Sequence, residues 1–204
     1  MTAPNLITLT DPRSQAAEAY RTLRANLMHL SETKPVTAFV VASAATADDK
    51  SLAIANLATT FALAGHKTIV VDSDMRRPTQ HTIWGAQNGA GLADLFVDER
   101  LMAEPPLVKT SVDNLLLLTS GTTNASPSDL FANPRLNDVI GILRARAHYV
   151  IFDAPPVLTA SDAALLGTKL DGAVLVVKAG VTRRDHTAKA REALERVHVN
   201  VLGV

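Results

Sequence analysis

The feature that most constrains this chain is the alternation of short apolar runs, rich in Val, Ile and Leu, with longer amphipathic stretches. This order is typical of βαβ units, in which parallel strands are buried between helices. We therefore predict an α/β fold with a doubly wound, mostly parallel sheet and helices on both faces. The predicted strands are residues 37–42, 68–72, 114–119, 149–153 and 173–177, with a last strand that begins near Val199. The predicted helices are 15–30, 50–64, 92–97, 134–146, 161–166 and 184–197.

Length and composition limit the classes of protein that the chain can represent. Its 204 residues predict one domain over 1–204, with an N-terminal helical segment at 1–34 and a sheet core at 35–204. Lys+Arg 20 against Asp+Glu 20 argues against nucleic acid as a partner. The absence of cysteine excludes a disulfide framework, a thiolate metal site and a Cys nucleophile. No leader-like start and no apolar run of about 18 residues is present, so we expect a cytoplasmic domain without direct membrane insertion.

The most informative segment follows the first predicted strand. In an open α/β sheet, ligands bind at the carboxyl ends of the strands. Residues 43–51 lie between that strand and a helix, which is the position and length of a P-loop, and Lys50 and Ser51 are the residue types that bind phosphate and Mg²⁺ there. The glycines that let a P-loop wrap a phosphate are missing. The candidate nucleotide-binding residues are Ala47, Asp48, Asp49, Lys50, Ser51 and Leu52.

Carboxylates end two further strands. The second predicted strand closes on Asp72 and Asp74, followed by two arginines, and the fourth closes on Asp153 as a Walker B strand does. Parallel strands bring these carboxylates to one edge of the sheet beside Lys50, which favours a P-loop NTPase-like phosphate site. The alternative for each strand-end Asp is a helix N-cap or a turn. Two connections at this edge, 74–91 and 121–133, are unusually long, which is typical of functional loops.

With these motifs the chain resembles the cytoplasmic P-loop domain of the bacterial tyrosine kinases, which act with membrane polysaccharide co-polymerases in capsule and exopolysaccharide export. Residues 72–78 with His81 resemble the Walker A′ region of the family, and residues 153–158 resemble its Walker B strand. The loop that is usually Gly-Pro-rich in the family matches Gly121, Pro127, Leu130 and Phe131. Partitioning and division-site ATPases share the P-loop and Walker A′ pattern but lack the Arg-Arg-Pro element.

The resemblance implies a role for each matching residue. Lys50 would neutralise the β- and γ-phosphates of ATP, and Ser51 would hold Mg²⁺. Asp72 would orient Mg²⁺ or accept the proton of a tyrosine hydroxyl, Asp74 would assist the metal shell, and Asp153 would coordinate the metal. The implied catalytic residues are thus Lys50, Asp72, Asp74 and Asp153, the implied metal ligands are Ser51, Asp72 and Asp153, and the implied cofactors are ATP and Mg²⁺ if the protein is active.

The resemblance also implies partners. Glu18, Arg21 and Arg24 match the Glu-x-x-Arg-x-x-Arg helix that packs subunits of the family into rings, which implies a homo-oligomer. An exposed, salt-bridged helix face is the alternative. A membrane polysaccharide co-polymerase would recruit the protein to the inner face of the plasma membrane.

Two departures from the family pattern bear on activity. The family reads Gly-Glu-Gly where this chain has Ala47, Asp48 and Asp49, and a carboxylate about 5 Å from a phosphate costs roughly 3 kcal/mol at an effective dielectric constant near 20. The tyrosine cluster that family members carry at their C-terminus is absent, because only Tyr20 and Tyr149 are present. The last strand stops as it begins, so we expect that the natural chain continues or that a tail was removed.

Three hypotheses remain at this stage. The first is a regulatory scaffold on the co-polymerase, with weak or absent nucleotide binding. The second is an active Mg-ATP-dependent tyrosine autokinase of the same family. The third is a partitioning-type ATPase.

Overall fold

The computed structural model describes residues 4–33, 36–45 and 49–204, and these residues form a seven-stranded sheet flanked by helices. The strand order is β3-β4-β2-β5-β1-β6-β7, and every neighbouring pair is parallel except β3 with β4. This sheet confirms the predicted fold class. The strands are β1 Ala38–Ser43, β2 Thr68–Asp72, β3 Val108–Lys109, β4 Leu115–Leu118, β5 Tyr149–Asp153, β6 Ala173–Val176 and β7 Val201–Gly203.

The helices include all six predicted ones and four short ones that were not predicted. The helices are α1 Ile7–Thr10, α2 Gln15–Thr33, α3 Lys50–Leu63, α4 Gln80–Ile83, a 3₁₀-helix Leu92–Phe96, α5 Glu99–Ala103, α6 Pro127–Ala132, α7 Arg135–Arg144, α8 Asp162–Gly167 and α9 Arg184–Arg196. The unpredicted α1, α4, α5 and α6 have four to six residues each, which is too short to show a helical period. The two long connections therefore contain α4 and α6.

The central strands are buried on both faces. Every residue of β1, β2 and β5 is buried, which explains why their sequences are continuous apolar runs rather than alternating ones. On one face of the sheet, Phe39 and Ile151 pack with Ile54 and Phe61 of α3 and with Leu27 of α2. The N-terminal helix α2 thus shares a hydrophobic core with the sheet. Burial of α3 between α2 and the sheet also fixes where its first turn lies.

Strand register places the predicted site. Asp72 at the end of β2 and Asp153 at the end of β5 are register partners, and Val41 of β1 pairs with Asp153 on the other side. Since α3 begins at Lys50 soon after β1, its first turn lies over these two carboxylates. No helix in residues 4–33, 36–45 and 49–204 has the length and apolar character needed to cross a membrane.

Candidate functional site

A buried ion cluster lies at the carboxyl edge of the sheet. The Lys50 ammonium donates to Oδ1 of Asp153 at 2.6 Å and to Oδ2 of Asp74 at 3.2 Å, and its Nζ lies 3.5 Å from the Ser51 hydroxyl oxygen. The Lys50 side chain is 10% exposed, and those of Asp74 and Asp153 are 8% and 0% exposed. Burial disfavours the charge on Lys50, but the nearby carboxylates, Asp153 first, outweigh burial and raise its pKa. Lys50 is therefore held as a charged group by two partners.

Asp72 lies beside this cluster but has no ion-pair partner in the described residues. Its Oδ2 accepts hydrogen bonds from the backbone N–H groups of Thr79 and Gln80, at 3.0 and 2.9 Å. Its Oδ1 is buried and has no hydrogen-bond partner within the described parts of the chain. Burial, with repulsion from Asp153, raises the pKa of Asp72 to about 8. A buried oxygen of this kind can hold a proton or face a cation.

Asp49 has the backbone conformation that a glycine would adopt most easily. It precedes α3 with φ 44° and ψ 30°, in the left-handed region, and its side chain does not cap the helix. A residue with a Cβ is strained there by about 1–2 kcal/mol. Its carboxylate turns outward and accepts a hydrogen bond from the Lys178 ammonium at 2.5 Å. Asp49 therefore pairs with Lys178, and Lys50 pairs with Asp74 and Asp153.

Gln80, Trp84 and Lys178 complete the site, and sequence reasoning missed all three. The Gln80 carboxamide nitrogen donates to Oδ2 of Asp153 and to the Ser51 carbonyl oxygen, and the Trp84 indole donates to the Gln80 carboxamide oxygen. A fully buried Gln in a segment predicted as a loop gives no sequence signal. Lys178 lies two residues beyond the end of β6, so the rule that ligands bind at strand ends could have found it.

Arg76 anchors the Walker A′ segment, residues 72–78, at a point outside the ion cluster. The Arg76 guanidinium lies 3.2 Å from the Asp162 carboxylate at the start of α8, and Asp162 also accepts a 2.7 Å hydrogen bond from the Ser128 hydroxyl of α6. Asp162 is fully buried, so removal of Arg76 would leave its charge poorly compensated. This contact fixes the Walker A′ segment against two helices.

The cluster opens into a cleft of about 320 Å³. Asp49, Lys50, Ser51, Leu52 and Asp74 line it, together with Ser43, Arg77, Thr79, Ile83 and Pro156. Leu52 is 45% exposed. Four of the six predicted nucleotide-binding residues thus line one cleft, whereas Ala47 and Asp48 lie outside the described residues.

The donors at this edge fit Mg²⁺ in part. The hydroxyl of Ser51 and the carboxylates of Asp72 and Asp153 are oxygen ligands of the kind that Mg²⁺ prefers, and the unpartnered Oδ1 of Asp72 suits a cation. In the residues that the structure describes, no group of three or more His, Asp or Glu side chains is arranged to hold a metal alone. The fit is to an ion that arrives with phosphate, since such Mg²⁺ takes one or two carboxylates and keeps several waters. These three residues would hold it, and it would neutralise phosphate charge.

The predicted oligomerisation residues lie on α2, outside the cleft. Glu18 and Arg21 form a 2.7 Å ion pair at the surface. Arg24 turns toward its own chain and donates to the Thr60 carbonyl oxygen of α3 at 2.7 Å. Their role between subunits stays a prediction.

Comparison with known proteins decides the family. The chain is 35% identical over 199 residues to the tyrosine-protein kinase YwqD of Bacillus subtilis, which covers 98% of this chain and 84% of YwqD. The chain belongs to the bacterial tyrosine kinases. The crystal structure of the chimerical protein CapA2B2 superimposes with a TM-score of 0.91 at 34% identity and covers 98% of this chain and 87% of that chain. No family model matches the chain.

The fold alone is shared more widely. The septum site-determining protein MinD of Pyrococcus horikoshii, complexed with Mg-ADP, superimposes with a TM-score of 0.64 at 20% identity, over 81% of this chain and 68% of that chain. This likeness supports a P-loop NTPase-like fold.

Proposed function

We propose that this chain is a tyrosine-kinase-like P-loop domain of capsule and exopolysaccharide biosynthesis that binds nucleotide weakly or not at all. In this proposal it acts as a regulatory scaffold on a membrane polysaccharide co-polymerase. The observation that carries the proposal is the pairing of Lys50 with two buried carboxylates, at 2.6 and 3.2 Å. To contact the phosphates of ATP, the Lys50 ammonium must weaken one or both of these contacts, and the carboxylates it leaves are buried.

The loop before α3 adds to this barrier. The N-terminus of a helix attracts anions through its free N–H groups and dipole, but here a carboxylate, Asp49, occupies that end. Pairing with Lys178 and the 69% exposure of the Asp49 side chain reduce its repulsion of phosphate. At about 8 Å and an effective dielectric constant near 40, the repulsion from one phosphate charge is about 1 kcal/mol.

The scaffold role draws on the surface of α2. The Glu18–Arg21 pair lies at the surface of α2, where the Glu18 side chain is 64% exposed. The pair is therefore accessible to a second copy of the chain. We expect Arg21→Glu to shift the protein to smaller assemblies in size-exclusion chromatography with light scattering. Arg191→Glu is the matched control, because Arg191 forms a similar exposed 2.7 Å pair with Glu195 on α9. Equal elution of both variants and the unchanged protein would argue against this interface.

A second candidate function is an active Mg-ATP-dependent tyrosine kinase. It is favoured by the position of Lys50, Ser51 and Asp74 on one cleft, with the buried carboxylates of Asp72 and Asp153 next to Lys50. Positioning and charge stabilisation account for most of phosphoryl-transfer catalysis. Radiolabelled ATP distinguishes the two proposals. Scaffold function predicts no transfer of label to this protein or to a tyrosine of its partner, whereas transfer that is abolished by Lys50→Met would establish the kinase.

A further inference from the structure

Gln80 contacts three segments of the site through its side chain and its backbone. It is fully buried at the first position of α4. Its carboxamide nitrogen donates to Asp153 Oδ2 at 2.8 Å and to the Ser51 carbonyl oxygen at 2.9 Å. Its backbone N–H donates to Asp72 Oδ2 at 2.9 Å. Gln80 thus ties the Walker A′ segment to the first turn of α3 and to β5.

The orientation of the Gln80 carboxamide is set by Trp84. An indole N–H can only donate, and it meets the carboxamide oxygen at 3.0 Å. A carboxylate and a carbonyl can only accept, and they lie at the other end of the carboxamide. A flipped carboxamide would therefore place two donors together at Trp84, and acceptors together at Asp153 and Ser51. Trp84, which is 1% exposed, fixes one of the two orientations.

The two carboxylate oxygens of Asp153 consequently have different hydrogen-bond partners. Oδ2 is held by Gln80, and Oδ1 faces Lys50 at 2.6 Å. Without the Gln80 donor, the buried Asp153 carboxylate would lose one of its two side-chain hydrogen-bond donors. It would then rotate toward another donor, because an unpaired buried oxygen is costly. The direction of Oδ1 into the cluster thus depends on a residue that does not line the cleft.

We propose that Gln80 is a positioning residue of the nucleotide cleft: its carboxamide, oriented by Trp84, holds Asp153 and the first turn of α3 in register with Asp72. The inference rests on the proposed function and deepens it. It explains how the frame of the cleft persists although the glycines of the loop are gone.

The first test needs no nucleotide. In ¹⁵N-labelled protein, the carboxamide protons of Gln80 are expected to exchange with water at least tenfold more slowly than those of Gln87, which is exposed in the following segment. Trp84→Phe keeps Gln80 but removes its oriented donor, so the protection should fall at least fivefold. Thr82→Ala is the matched control, because it removes an exposed hydroxyl from the same helix. Unchanged protection in Trp84→Phe would overturn the proposal.

The second test separates positioning from packing. In the Ala47→Gly/Asp49→Gly background, Gln80→Leu should reduce the gain in ADP affinity on adding Mg²⁺ at least fivefold, with Mg²⁺-free ADP affinity within twofold. Equal loss with and without Mg²⁺ would show a merely structural role and overturn the proposal. If the restored loop binds no ADP at all, the account of the loop in the proposed function fails, and the exchange measurement still decides the role of Gln80.

Discussion

Replacement of Lys50 by methionine removes the only side-chain ion-pair partner that the described structure gives to Asp74 and Asp153. Methionine keeps much of the length and apolar character of the lysine stem, so the change acts mainly on charge. Two carboxylates that are 8% and 0% exposed then face each other without a cation. Loss of one partner from a buried ion pair costs about 3–5 kcal/mol.

The expected loss is large enough to measure simply. For a domain of this size, 1 kcal/mol corresponds to about 2–4 °C in Tm, so Lys50→Met should lower Tm by about 6–20 °C at pH 7. The loss should be smaller at pH 5, because burial raises the pKa of Asp74 and removal of Lys50 raises it further. The uncompensated Asp74 carboxylate can then take up a proton.

Urea denaturation, followed by circular dichroism and by the fluorescence of the single tryptophan, gives the free energy of unfolding. The matched control is Lys178→Met, which breaks the neighbouring Asp49 pair. Since those side chains are 46% and 69% exposed, we expect a change within about 1 kcal/mol. If Lys50→Met costs no more than Lys178→Met, the buried cluster does not hold Lys50 as described.

Two further predictions concern pH and glycine. The pKa of Asp72 is raised to about 8, from an ordinary value near 4 in the unfolded chain, so its contribution to stability is full below pH 4 and is lost as pH rises to about 8. Asp72→Asn should therefore reduce the loss of unfolding free energy between pH 5 and 8 by as much as about 3 kcal/mol. An unchanged pH profile of the unfolding free energy would contradict the burial of this group. Gly91→Ala should destabilise the protein by about 3 kcal/mol, because the added Cβ would lie 2.3 Å from the backbone of Gly121 and Thr119. The control is Gly85→Ala, whose Cβ meets nothing within 4 Å but whose φ is +64°, and it should cost about 1 kcal/mol. Equal shifts in Tm for the two variants would contradict the close approach of Gly91 to the backbone of Gly121 and Thr119.

Strand positions were predictable because a strand that is buried on both faces has apolar residues at successive positions. Strands 68–72 and 149–153 have the predicted bounds, since each apolar run ends at a carboxylate. The edge strand β3 was missed because it consists of Val108 and Lys109 alone. Two residues cannot show a period.

The site was predictable only where strand order determines it. Asp72 and Asp153 end neighbouring parallel strands, and Asp74 follows the first of them. Lys50 begins the helix after β1, so strand order brings it to the same edge of the sheet. The partner of Asp49 was not predictable, since Lys178 is 129 residues away along the chain. The Gln80–Trp84 pair depends on α4, a four-residue helix with no sequence signal of its own.

The central claim is that the altered loop and the paired Lys50 weaken nucleotide binding in an otherwise preserved frame. Calorimetry of ATP and ADP binding with Mg²⁺, on the unchanged protein and on Ala47→Gly/Asp49→Gly, tests this claim most directly. Relief of about 1.4–2.7 kcal/mol of repulsion and strain corresponds to about 10-fold to 100-fold in affinity. The account predicts binding by the restored loop and at least tenfold weaker or undetectable binding by the unchanged protein. Equal micromolar binding by both would contradict it and favour the active kinase.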